Sequence, residues 1–104
     1  MYRVFKNNLL KDNRGFLQKN LLIEIKKKTK FRIVESFFSY SSKPNTVRGI
    51  YMQTGKNIEA KLLTLIYGNL FWVIVDLRKK SNNYLKSYKI KLKKFDKVYI
   101  PEGF

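Results

Sequence analysis

Cysteine and histidine are both absent from this 104-residue sequence. The missing cysteines exclude disulfides and thiolate-bound zinc, and the missing histidines remove the other usual ligand of a transition metal. Carboxylates alone favour hard cations, and the acidic residues do not cluster along the sequence. The composition therefore predicts a protein without a transition-metal site.

Long apolar stretches are also missing. The first residues, MYRVFKNN, lack the uninterrupted apolar run of a signal peptide, and no segment approaches the roughly 20 apolar residues of a membrane span. We therefore expect a cytoplasmic protein. The length suits one core and no linker is visible, so we also expect a single domain over residues 1–104.

Negative charge is scarce. The sequence contains 23 lysines and arginines but only 7 acidic residues, which gives a formal net charge of +16. Such a field favours anionic partners, including phosphates, nucleic acid and acidic membrane surfaces. The joint abundance of Lys, Asn, Ile, Phe and Tyr is also typical of an AT-rich coding sequence, so compositional drift is an alternative explanation.

The strongest β-strand signal runs from Ala60 to Arg78. Apolar and β-branched residues fill positions 63–66 and 70–75, and the Tyr67-Gly68-Asn69 sequence between them is typical of a tight hairpin. The second run is apolar at every position. It predicts a strand covered on both faces, and hence a sandwich or barrel.

Other segments complete an all-β pattern. Leu21–Lys28 predicts a short helix with lysines at its C-terminal end, where the helix dipole favours them, and a strand ending in charges is the alternative. Strict alternation over Lys86–Leu92 predicts a strand with one wet face. Further extended segments are expected at Tyr2–Leu10, 16–19, Phe31–Tyr40, Thr46–Gln53 and Val98–Pro101, with turns or loops at 11–15, 41–45, 54–57 and 79–83. The pattern favours an antiparallel sandwich or jelly roll.

Five sequence blocks, in order, resemble those of the dTDP-4-dehydrorhamnose 3,5-epimerase family. The blocks are Asp12-Asn13-Arg14-Gly15-Phe16, Arg48-Gly49-Ile50-Tyr51-Met52-Gln53, Ala60-Lys61-Leu62, Gly68 followed by Val75-Asp76-Leu77-Arg78-Lys79-Lys80-Ser81, and Tyr99-Ile100-Pro101-Glu102-Gly103-Phe104. The resemblance implies an incomplete cupin-type antiparallel jelly roll with one short helix, usually dimeric. It also implies an isomerase acting on a dTDP-linked 4-keto-6-deoxyhexose, in dTDP-rhamnose and surface polysaccharide biosynthesis, without metal or organic cofactor.

Proton transfer beside a ketone requires a base, a group that stabilises the enolate oxygen, and an acid on the other face of the sugar. The family's base is a histidine in an R-G-x-H block, and Tyr51 stands at its place. A phenol with an ordinary pKa of about 10 is protonated at neutral pH and is a poor base. The resemblance implies that Arg48 and Lys61 line the sugar site, whereas a solvated strand arginine and a surface lysine are the structural alternatives.

The resemblance also implies a nucleotide-binding segment. Arg14 matches the arginine that contacts the diphosphate, for which a guanidinium is well suited, and Phe16 matches a position near the nucleotide base. Lys19 follows in the same segment, and Gln53 is expected to reach the sugar pocket. A turn arginine, a core phenylalanine and a strand-end glutamine are the alternatives.

Asp76 and Arg78 lie in the V-D-L-R block, where burial favours a structural ion pair or a turn contact over a catalytic role. The chain stops at Phe104, before the family's Ala-His-Gly-Phe block, the tyrosine acid and the carboxylate that orients the catalytic histidine. We therefore expect a C-terminally truncated chain that leaves an apolar face near Trp72 and Val73 uncovered and self-associates.

Three classes of function follow. The first is an epimerase, and the second is a nucleotide-sugar-binding remnant or gene fragment without catalysis. The third is a basic nucleic-acid binder, suggested by charge interleaved with Tyr84, Tyr88 and Tyr99. Its lysines are spread over many strands instead of one motif, so nucleic acid is the weakest expectation.

Overall fold

The computed structural model describes all residues, Met1–Phe104, and consists of antiparallel strand pairs with one α-helix. The elements are β1 (Arg3–Phe5), β2 (Leu9–Asp12), β3 (Gly15–Gln18), α1 (Leu22–Thr29), a 3-10 helix (Gly55–Asn57), β4 (Lys61–Thr64), β5 (Leu70–Val75), β6 (Ser87–Leu92) and β7 (Lys97–Ile100).

The core lies between a three-stranded sheet of order β1-β7-β4 and the β5-β6 pair. In the central strand β7, Val98 lies opposite Val4 on one side and Leu63 on the other, and it is completely buried. Six apolar side chains from both layers pack together, namely Leu65, Ile74, Ile90, Leu92, Val98 and Ile100. Burial of these side chains is the main source of the fold's stability.

Strand β6 confirms the predicted alternation. Ile90 and Leu92 are buried in the core, whereas Lys89 and Lys91 are exposed on the opposite face. The period of two in the sequence therefore corresponds to one packed and one wet face.

The predicted hairpin between residues 63–66 and 70–75 is wrong. Both strands form, but β4 pairs with β7 and β5 pairs with β6. Leu65 is buried in the core, and its carbonyl accepts a hydrogen bond of 2.7 Å from the Phe95 N–H. Because β4 finds its partner in the other layer, the turn at Gly68 carries the chain between layers.

The prediction that the strand at 70–75 is covered on both faces is also wrong. Ile74 is buried, but Phe71 is 61% exposed and Val73 lies on the same uncovered face. Trp72 packs, half-buried, against the core. Nothing within residues 1–104 forms a layer over Phe71 and Val73, so the apolar pattern exceeds what this chain buries.

Two predicted strands, Phe31–Tyr40 and Thr46–Gln53, are irregular in the structure. Their β-branched and aromatic residues have the right propensity, but a strand also needs a neighbour for its backbone hydrogen bonds, and none lies beside them. Most of their apolar side chains are exposed, including Val34, Phe37, Phe38, Tyr40, Val47, Ile50 and Tyr51.

The N-terminal prediction is correct in part. The expected edge strand over Tyr2–Leu10 is interrupted, and it forms β1 at the edge of the three-stranded sheet and β2 in a separate hairpin with β3. The interruption lies at Asn7, whose backbone N–H donates to the carboxylate of Asp96 instead of to a neighbouring strand.

The predicted helix is confirmed, and its alternative as a strand is wrong. Ile25 is the buried residue of α1, and an ion pair of 2.9 Å joins Lys28 to Glu24 one turn earlier. The last turn carries Lys26, Lys27 and Lys28, as the dipole argument predicts. With eight residues, α1 is too short to cross a membrane, and no other α-helix is present.

Candidate functional site

Tyr51 and Lys61, both predicted to be catalytic, lie together. Tyr51 belongs to the irregular segment before the 3-10 helix, and Lys61 is the first residue of β4. The Lys61 ammonium nitrogen lies 5.4 Å from the centroid of the Tyr51 ring, within the range of a cation–π contact. The ring itself is exposed, so its hydroxyl is accessible to solvent.

Glu59 is a third member of this group, and the sequence analysis missed it. Its Oε1 lies 3.4 Å from Lys61 Nζ. Residues two apart in an extended chain share a face, so the Glu-Ala-Lys sequence contained the signal. The carboxylate offsets the positive charge that Lys61 would otherwise direct at an anionic oxygen.

Arg48 is engaged elsewhere. Its Nε donates to Ser41 Oγ at 3.1 Å, and its Nη2 donates to the carbonyl of Tyr40 at 3.0 Å. None of its hydrogen bonds reaches Tyr51 or Lys61. Arg48 therefore braces the irregular segment in this structure.

Gln53 lies in the same irregular segment as Tyr51. It is exposed two residues before the 3-10 helix, and its side chain makes no hydrogen bond. The structure therefore gives Gln53 no partner that would hold it towards a sugar.

Arg14 lies at the turn of the β2-β3 hairpin, where its side chain is 86% exposed. Its Nε and Nη2 donate to Asp12 Oδ2 at 3.1 and 2.6 Å, and its backbone N–H donates to Asp12 Oδ1 at 2.8 Å. The side-chain hydrogen bond from Arg14 is the main cause that lowers the pKa of Asp12 below its ordinary value. Nη1 makes no hydrogen bond, so one edge of the guanidinium is free for an anion.

Phe16, on β3, has an aromatic partner that sequence reasoning missed. Its ring centroid lies 5.2 Å from that of Phe95, at an interplanar angle of 56°. The Lys94 ammonium lies 6.0 Å from the Phe16 centroid and 5.0 Å from the Phe95 centroid. Lys19 is exposed just after β3, and only its carbonyl is engaged, by the amide of Gln18.

The β2-β3 hairpin carries an open cleft of about 480 Å³. Lys11, Arg14 and Phe16 are among the residues that line it. A cation, a guanidinium and an aromatic ring are thus exposed on one surface. No hydrogen bond, ion pair or ring contact joins this surface to the Tyr51–Lys61 pair.

The Asp76–Arg78 pair is structural, as predicted. Asp76 is completely buried and accepts hydrogen bonds from the backbone N–H, Nε and Nη2 of Arg78 and from the hydroxyl of Ser81, at 2.7 to 3.0 Å. The hydrogen bond from Arg78 is the main cause that holds the pKa of Asp76 far below its ordinary value. The Arg78 guanidinium in turn lies 4.6 Å from the Phe104 ring centroid. The pair therefore fastens the C-terminal residues to the end of β5.

No three acidic side chains lie close enough together to hold a metal ion. The groups available for chemistry are thus ammonium, guanidinium, phenol and single carboxylates. Such a set can bind phosphate and stabilise an anionic oxygen.

Comparison with known proteins places the chain in a family. The family model described as dTDP-4-dehydrorhamnose 3,5-epimerase matches residues 2–104. The chain is 30% identical to the dTDP-4-dehydrorhamnose 3,5-epimerase of Shigella flexneri over an alignment of 105 positions, which covers 97% of this chain and 58% of the relative. It is 38% identical to the Salmonella typhimurium enzyme of the same name over 65 residues, 61% of this chain and 36% of that enzyme.

Two solved structures show the same fold. The dTDP-4-dehydrorhamnose 3,5-epimerase of Elizabethkingia anophelis superposes with a TM-score of 0.85 at 28% identity, covering 99% of this chain and 58% of the other. The enzyme of the same name from Bacillus anthracis, with TDP and PPi bound, gives a TM-score of 0.80 at 26% identity and covers 98% and 61%. The predicted all-β antiparallel fold with one short helix is thereby confirmed, and it matches the fold of these epimerases.

The chain spans less than two thirds of the length of these relatives. The match nevertheless extends over nearly all of residues 1–104, in sequence and in structure. This chain belongs to the dTDP-4-dehydrorhamnose 3,5-epimerase family.

Proposed function

We propose that this chain binds a dTDP-linked 4-keto-6-deoxyhexose and that residues 1–104 do not epimerise it at a useful rate. The observation that carries the binding proposal is the exposed Arg14 guanidinium, with one edge unbonded, two residues before the half-exposed Phe16. A guanidinium edge suits a diphosphate, and an exposed ring suits a nucleotide base. The Bacillus anthracis relative, with TDP and PPi bound, supports this ligand class.

The second half of the proposal concerns the base. Tyr51 stands where the family has histidine, and ordinary phenols are weak bases at neutral pH. Lys61 is already partnered by Glu59, and Arg48 by Ser41 and Tyr40. The groups expected to start proton transfer and to stabilise the enolate are thus replaced or occupied.

The second candidate function is the epimerisation itself. The observation that favours it is the proximity of Tyr51 and Lys61, which brings a hydroxyl and an ammonium to one exposed region. In this alternative Tyr51, as the phenolate, removes the proton from the carbon beside the ketone and Lys61 stabilises the enolate oxygen. Water, which reaches this exposed region, returns a proton to the opposite face.

Replacing Arg14 by alanine is expected to weaken dTDP binding by about tenfold to a hundredfold, because a charge-assisted hydrogen bond to phosphate is lost. Isothermal titration calorimetry at low salt measures this. The matched control is Lys89→Ala, an exposed cation on the wet face of β6 and outside the hairpin cleft, for which about a twofold change is expected from screened charge alone. Equal affinities of the wild-type chain and Arg14→Ala would remove the phosphate assignment.

We further propose that the chain is a single domain that works in the cytoplasm as a homodimer, in dTDP-rhamnose and polysaccharide biosynthesis. The family membership supports the pathway, and the exposed apolar side chains of residues 31–51 support a protein partner. The net charge of +16 favours an anionic ligand for such an assembly.

The chain is expected to self-associate in solution, because Phe37 and Phe38 are 80% and 88% exposed and lie in an apolar segment. Multi-angle light scattering of the wild-type chain should give a mass of a dimer or larger. The double variant Phe37→Ser/Phe38→Ser should shift the mass towards 12.5 kDa. A sharp monomeric peak from the wild-type chain would contradict this expectation.

A further inference from the structure

We propose that Lys94 and Phe95, on the turn between β6 and β7, belong to the nucleoside-diphosphate site, with Lys94 contacting phosphate and Phe95 supporting the ring on which the base stacks. The inference rests on the proposed function, and it adds two residues that lie far from the hairpin in sequence. The observation that supports it is the surface cluster of Phe16, Phe95 and Lys94.

The turn is fixed to the base of the hairpin by a buried carboxylate. Asp96, almost fully buried, accepts a hydrogen bond of 2.9 Å from the backbone N–H of Asn7, between β1 and β2. The Asn7 side-chain amide donates to the same carboxylate oxygen at 3.3 Å and to the Lys94 carbonyl at 3.2 Å. Lys6 adds an ion pair of 3.6 Å to Asp96. The segment leading into the hairpin and the turn are therefore held together.

Backbone hydrogen bonds also fix the conformation of the turn. Phe95 has a positive φ of 67°, and its N–H donates to the carbonyl of Leu65 at 2.7 Å, while the N–H of Asp96 donates to the Lys93 carbonyl at 3.0 Å. On this backbone, the Phe95 ring packs against Phe16 on β3. Because the turn is anchored on both sides, the cluster exists before any ligand arrives, which lowers the ordering cost of binding.

The cluster has the chemistry that a nucleoside diphosphate requires. Phe16 packs against Phe95 on one side, yet it remains 52% exposed, so a base has a ring face on which to stack. The Lys94 ammonium lies over both rings and, like Arg14 two residues before Phe16, carries a positive charge. A flat base and two phosphates match one aromatic face flanked by an ammonium and a guanidinium.

Titration calorimetry with two probes, dTDP and inorganic pyrophosphate, tests the inference on the full chain. Lys94→Met is expected to weaken both probes by about tenfold, because it removes a phosphate partner. Lys93→Met, an exposed lysine of the same turn without a ring contact, should leave both within about twofold. Phe95→Leu should weaken dTDP by about fivefold and leave pyrophosphate unchanged, because only the base stacks.

The outcomes separate this inference from the function on which it rests. If Arg14→Ala weakens dTDP binding but Lys94→Met and Phe95→Leu do not, the inference is overturned and the proposed function stands. If the wild-type chain does not bind dTDP, both are overturned. Circular dichroism would reveal whether Phe95→Leu disturbs the fold. Lys94 is exposed, so Lys94→Met should leave the fold intact and still test the phosphate contact in that case.

Discussion

Replacing Asp76 by alanine is expected to lower the melting temperature of the chain by about 10 °C or more. The buried carboxylate accepts three hydrogen bonds from Arg78 and one from Ser81. Its removal leaves a half-buried guanidinium without its counter-charge. It also releases the end of β5 from the C-terminal residues, because Arg78 packs against Phe104.

The chain contains its own matched control, because the same Asp-x-Arg pair occurs twice. Asp12 accepts hydrogen bonds from the backbone N–H, Nε and Nη2 of Arg14, as Asp76 does from Arg78. Asp12 is 48% exposed, however, so Asp12→Ala should change the melting temperature by about 2 °C at most. Equal effects of the two substitutions would show that burial is not what makes the Asp76 pair important.

The stability that Asp76 contributes to the fold also depends on pH. The pKa of Asp76 is lowered in the folded chain, mainly by the hydrogen bond from Arg78, so ionised Asp76 stabilises the fold fully above its ordinary value of 3.8. This contribution is lost as the pH falls below that value towards the folded pKa. Thermal unfolding at pH 6 and at pH 3 should therefore show a smaller gap between the wild-type chain and Asp76→Ala at pH 3.

Local sequence patterns predicted strands correctly where another part of the chain supplies the packing surface and the hydrogen-bonding neighbour that a strand needs. The alternation of Lys86–Leu92 became β6, because one face meets the core. Phe31–Tyr40 has equally strong strand composition, yet no neighbouring strand is present and it stays irregular. Gly68 sits in a sequence typical of a hairpin, but the alternative partner for β4, strand β7, lies 33 or more residues along the chain, where local reasoning does not reach.

In the candidate site, too, contacts between residues close in sequence could be predicted, whereas contacts between distant segments could not. The expected burial of the V-D-L-R block predicted a structural role for Asp76 and Arg78, and their contact is local. The spacing of Glu59 and Lys61 contained a similar signal. The approach of Lys94 and Phe95 to Phe16 depends on the buried Asp96–Asn7 contact between distant segments, and no local pattern encodes it.

The second large effect concerns proton exchange. General acid–base catalysis contributes about 10² to 10⁴ in rate, and it requires a base that is unprotonated at the working pH. With Tyr51 in the place of histidine, we expect the rate of exchange at C3 and C5 of the sugar to fall by at least about that factor relative to an enzyme with the family's histidine. The Salmonella typhimurium epimerase serves as the positive control under identical conditions.

The central claim, binding without proton abstraction, is tested most directly by NMR of dTDP-4-keto-6-deoxyglucose in D₂O with excess wild-type chain. We predict saturable changes in the nucleotide signals, while the C3 and C5 protons exchange no faster than without protein. Deuterium incorporation at C3 or C5 above that background, abolished by Tyr51→Phe, would contradict the claim and establish Tyr51 as a catalytic residue.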